Sequence, residues 1–177
     1  DEWYYHMRFR PDMKGVTPIL TDLPPSSTLV REDGSLARPD NAHNNNPHVR
    51  ESVLVRKEPQ HMAWASENEG GGRGFGFTGC HNHWNCGNHD YRKVVLNAVV
   101  WCAQGKVPEG GVESPEVKLA DLLADQDYDP KPNFDLAPIQ KQLDEWNGRA
   151  SLSLAPAGTP RIQPQPEKAP KTAGDGK

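Results

Sequence analysis

The chain has 177 residues, room for one ordinary domain, and its net charge of -4 comes from 20 Lys and Arg interleaved with 24 Asp and Glu. Without a basic face to neutralise phosphates, nucleic acid is excluded as an expected partner. No apolar run approaches the roughly 18–20 residues that cross a bilayer, so no membrane span is expected.

In chain order, Asp1-Glu2-Trp3-Tyr4-Tyr5-His6-Met7-Arg8-Phe9 is aromatic-rich and predicts a strand or strand end. Val16 to Thr21 predicts a second short strand, which Pro18 confines to a sheet edge. Residues 22–50 read as a long loop, punctuated by Pro24-Pro25, Asp33-Gly34 and Asn46-Pro47. Glu51 to Lys57 and His61 to Glu67 both alternate, which predicts two strands in an antiparallel pair. After Gly70-Gly71-Gly72, Arg73 to Cys80 predicts a strand with Phe75 and Phe77 on one face and glycines on the other.

The segment Asp90 to Gln104 carries the strongest helical pattern, with Asp90 as the expected N-cap and Gly105 as the stop. Its apolar residues run nearly all round, which predicts a buried helix. A further helix is expected from Ser114-Pro115-Glu116 to about Asp125, and another from Ala137 to Trp146 with Ile139, Leu143 and Trp146 on one side. Residues 151–177 are rich in Pro, Lys, Gln and Gly and predict a disordered or surface-draped tail. Strand, polar loop, then helix is the repeating element of an α/β sandwich.

Several runs together resemble one family. They are Asp1-Glu2-Trp3-Tyr4-Tyr5-His6, Arg73-Gly74-Phe75-Gly76-Phe77-Thr78-Gly79, His81-Asn82-His83-Trp84-Asn85, Asp90-Tyr91-Arg92-Lys93 and Val107-Pro108-Glu109-Gly110-Gly111-Val112. In this order over residues 1–112 they resemble the C-terminal part of a ThuA-like (trehalose utilisation) domain, as found in environmental bacteria beside sugar-processing proteins.

The resemblance implies a flavodoxin-like, class I glutamine amidotransferase-like α/β three-layer sandwich, incomplete at the N-terminus. Residues 113–150 would then be a helical extension and 151–177 the tail. Another chain or a segment preceding Asp1 would complete the sheet, and a homo-oligomer is a further expectation. The implied role is carbohydrate catabolism, acting on trehalose or an oxidised disaccharide as a hydrolase- or lyase-type enzyme. Glutaminase activity is not expected: Cys80 ends a strand, but ThuA-like domains do not resemble working amidotransferases there. At Cys80, Cys86 and His89 the chain departs from the family pattern.

The loop from His81 to His89 is the candidate site, because ligands of open α/β sheets sit beyond the carboxyl ends of strands. His81 and His83, two apart on an extended segment, project to one side, and Glu2 and His6 complete the constellation from an adjoining strand. Three readings of them stand: a divalent metal site for zinc or a similar ion, metal-free acid/base catalysis, or imidazoles that only bond loop carbonyls. A second metal set is Cys80, His83, Cys86 and His89, spaced every three residues and offering two thiolates and two imidazoles. Trp84, Asn85, Asn88 and Arg73 are the candidate sugar binders: an indole stacks on a pyranose face, and amides and guanidinium pair with hydroxyls. The alternative from a different class is a non-catalytic binding or structural subunit. Three cysteines cannot all pair with one another and leave the redox compartment open, as does any signal segment upstream of Asp1.

Overall fold

The computed structural model describes residues 1–124, 126–127 and 131–149. Within them the chain is mixed α/β, built on a three-stranded sheet of order β1-β2-β3 with both pairings antiparallel. The strands are β1 (Val16–Asp22), β2 (Gln60–Glu67) and β3 (Arg73–Phe77). Pro18 lies on the edge strand β1, where the register shifts between Pro18 and Leu20, as a residue without a ladder N–H requires. Between β2 and β3 the turn closes through Gly71, at φ +80°, whose N–H donates to Asn68 O at 2.9 Å.

The strand expected over 51–57 is instead helical, so the antiparallel pair proposed for it does not form. Helix α1 (Ala42–Asn45) is followed by α2 (Pro47–Arg50), which runs into a π-helical turn at Glu51–Val55. Asn46 caps this stretch by accepting the His48 N–H at 2.9 Å, and Pro47 takes the first helical position. Val49 and Val53, four apart, face one way and form the core with Leu29, backed by Tyr5 and Leu54. The apparent alternation of 51–57 was a fragment of this helical period, visible only once Val49 is included. The supposed loop 22–50 therefore carries the helices that close the core.

The strand expected over residues 1–9 does not form either. His6 adopts φ +62° and breaks any extended run. The segment is anchored by side chains instead: Trp3 meets Phe77 edge-on at 5.3 Å, Tyr5 meets His43 at 5.0 Å, and Phe9 meets Trp64 at 5.0 Å. A polar chain ties its middle down: the His6 N–H donates to Gln60 Oε1, Gln60 Nε2 to Ser52 Oγ, and Ser52 Oγ to Glu58 Oε2.

Helix α3 (His89–Cys102) follows β3, and its N-cap is Asn88, not Asp90: Asn88 Oδ1 accepts the Tyr91 N–H at 3.0 Å. At its end Gln104 takes the left-handed turn at φ +63° and the Gly105 N–H reaches back to Val100 O at 2.9 Å. The helix is not buried as expected. Only Lys93 of its residues is fully buried, held by Gly110 O and Glu113 Oε1, while Val99 is 61% exposed.

Helix α4 (Leu119–Leu123) starts later than Ser114, and Arg92 holds the residues before it: its Nε donates to Ser114 Oγ and its Nη2 to Pro115 O. Asp121 then accepts the Lys118 N–H at 2.8 Å and starts the helix. Helix α5 (Ala137–Asn147) matches its predicted extent, with Leu143 fully buried. The tail expected over 151–177 lies outside the described residues.

Candidate functional site

The polypeptide leaves β3, crosses residues 78–82 and enters a 3-10 turn at His83–Gly87 before α3. The first residues of the chain are clasped onto this crossover. The Asp1 carboxylate accepts the Cys80 N–H at 2.9 Å, the Asn82 N–H at 3.3 Å and the Tyr91 hydroxyl at 2.9 Å. Thr78 Oγ1 donates to Tyr4 O at 2.7 Å. Burial, and then the neighbouring Cys80 thiol, hold the Tyr91 hydroxyl protonated well above its usual range, so it remains a donor to Asp1.

This clasp sets Glu2 and Tyr4 on opposite nitrogens of His81. His81 Nε2 lies 3.5 Å from Glu2 Oε2 and Nδ1 lies 3.1 Å from the Tyr4 hydroxyl. A carboxylate on one ring nitrogen and a phenol on the other fix the orientation of the imidazole. Beside the pair lies a cleft of about 470 Å³, lined among others by Glu2, Tyr4, Tyr5, Arg38, Asn41 and His43.

The other expected site residues go elsewhere. His83 does not share ligands with His81: its ring packs on Trp84 at 3.9 Å, and its Nε2 is buried without a partner. His6 has His43, Glu58, His48 and Arg56 as its titratable neighbours. Among the described residues no group of three or more His, Cys, Asp or Glu is placed to hold a metal ion. Trp84 stacks on Phe134 at 6.1 Å, Asn85 Nδ2 donates to Asn82 O, and Asn88 caps α3. Arg73 lies over the Trp101 ring at 4.9 Å and bonds Trp101 O and Glu67. Of the second metal set, burial and then the neighbouring Cys80 push the Cys86 thiol up. His89 Nε2 instead faces Glu113 Oε2 at 3.6 Å.

No protein-family model, curated protein or solved structure matches the chain. Function must be read from the geometry itself. Asp1, Tyr4 and Tyr91 hold this arrangement together, and only the acidic and aromatic start and the first turn of α3 hint at them in the sequence. Arg38, Asn41 and His43 sit in what was taken as loop, with no motif to single them out.

His6 carries a pH signature. Burial, then His43, hold its imidazole below the ordinary value of 6.5. The unfolded chain therefore takes up the proton first, so stability is full above 6.5 and falls as pH drops from there through the lowered folded value. His6→Gln is expected to remove part of this acid-side slope, read as the urea midpoint across pH; an unchanged slope would discount the His6 contribution.

Proposed function

We propose that the chain is a ThuA-like protein of carbohydrate catabolism that binds a disaccharide, trehalose or an oxidised derivative, beside His81. The observation that carries this is the Glu2–His81–Tyr4 arrangement at the edge of an aromatic and polar cleft. Tyr4 and Tyr5 offer ring faces for pyranose stacking, and Arg38 and Asn41 offer donors for hydroxyls or a carboxylate. His81 would move a proton to or from a sugar oxygen, with Glu2 and Tyr4 fixing the ring from its two nitrogens. His81 and Glu2 supply two donors where zinc takes three or four protein ligands, so the set does not fit that ion and no step is assigned to a metal.

The flavodoxin-like sandwich remains part of the proposal. Doubly wound sheets often carry antiparallel strands at an edge, and β1 to β3 would be that edge, with parallel strands supplied by a further segment or another chain. A second reading, a non-catalytic subunit, is favoured by the apolar groove of about 370 Å³ among Ile19, Phe75, Val94, Ala98, Trp101 and Val107.

Thermal unfolding with and without sugar separates the two. Trehalose or an oxidised disaccharide is expected to raise the melting temperature, and Tyr4→Ala to weaken binding about tenfold, roughly 1.4 kcal/mol. No rise with either sugar would favour the subunit reading.

A further inference from the structure

The crossover that presents His81 is bounded by two thiols. Cys80 is exposed, Cys86 is half-buried, and both are free. The five residues between them fold back on themselves: the Asn85 N–H donates to Asn82 O at 3.0 Å, Asn85 Nδ2 bonds the same oxygen at 2.9 Å, and the Asn88 N–H donates to Asn85 O at 3.0 Å. Successive residues of α3 hold both ends of the loop. The Tyr91 hydroxyl accepts the Cys80 N–H, and Arg92 Nη1 donates to Cys86 O at 2.8 Å. The two ends of the loop are thereby pinned to one turn of α3, and the Cys80 and Cys86 side chains act on one another and on the Tyr91 hydroxyl.

Cys102 is no rival partner. It closes α3, eleven residues beyond Tyr91, or about 16 Å along the helix axis, whereas a disulfide needs α-carbons within about 7 Å. Cys80 also stands at φ +69°, a left-handed position that side-chain-bearing residues seldom occupy, and this fixes the direction of its β-carbon.

We infer that Cys80 and Cys86 form a site of reversible oxidation, closed to an intramolecular disulfide across the histidine loop by a low-molecular-weight disulfide such as oxidised glutathione. The exposed Cys80 sulfur, as thiolate, attacks one sulfur of the reagent, whose S–S bond breaks and releases one thiolate that takes up a proton. Cys86 then gives up its proton and its sulfur attacks Cys80, releasing the second reagent thiol. Two protein thiols lose two electrons together, and one small disulfide becomes two thiols. The closed ring contains His81 and His83, so oxidation restrains the loop that presents the Glu2–His81 pair. The thiol site stands whether or not the cleft binds sugar.

The test uses the full chain, equilibrated with oxidised and reduced glutathione, alkylated and cut with trypsin. Cys80 and Cys86 share the tryptic peptide of residues 74–92, and Cys102 falls in a later one, of residues 94–106. The expected result is the first peptide lighter by two hydrogens and unalkylated, with Cys102 alkylated and free thiols falling from three to one. Cys86→Ser should trap glutathione on Cys80, because the resolving sulfur is gone. A lasting glutathione adduct on wild-type Cys80, a link to Cys102, or three alkylatable thiols throughout would each overturn the assignment.

Discussion

Leu143→Ala is expected to lower the unfolding free energy by about 2–5 kcal/mol, the range for a fully buried leucine that leaves a cavity. Leu143 is 1% exposed and projects from α5 onto the backbone of Gly87, beside Leu122 of α4. Its side chain touches the glycine so closely that a β-carbon at residue 87 would overlap it. The leucine therefore links α4 and α5 to the turn that follows His81 and begins at His83. Equilibrium urea denaturation should show a lower midpoint with little change in slope. A loss below about 1 kcal/mol would mean that the helices close over the gap.

Gly76→Val carries the second large effect, a loss of about 1–3 kcal/mol from overpacking. Gly76 stands opposite Trp64 in the β2–β3 register, and a β-carbon there would run into the indole ring. The indole covers the glycine in the way aromatic residues compensate glycine on a paired strand. It cannot simply swing aside, because Phe9 meets it edge-on at 5.0 Å. Gly110→Val is the control, since nothing lies within 4 Å of its added carbon. Thermal melts that leave both variants at the wild-type temperature would show that Trp64 has room to move.

What could be read from the sequence was whatever repeats locally. Val16–Asp22, Gln60–Glu67 and Arg73–Phe77 alternate over their own length, and α3 and α5 carry their own helical period and stop signals. Two errors arose where an element depends on something outside its window. Glu51–Val55 is helical because Val49 precedes it and Leu29 packs on it. Residues 114–118 stay outside the helix, with Ser114 Oγ and Pro115 O held by a guanidinium from α3.

The site was legible in part. The histidine loop after a strand marked the region, and Glu2 does lie against His81, though not from an adjoining strand. Nothing local separated His81 from His83, because their difference is tertiary: one ring meets a carboxylate and a phenol, the other an indole. The cleft residues Arg38, Asn41 and His43 come together only through the folding of a segment whose sequence reads as turns.

Arg92 gives the crossover its mechanical character. One planar guanidinium donates to Cys86 O, Gly87 O, Ser114 Oγ and Pro115 O. Lysine, with three donors at a single point, has no such fork with which to span both strands of chain. The histidine turn and the segment leading into the C-terminal helices are therefore moored to one side chain, and truncating it would unfasten both at once.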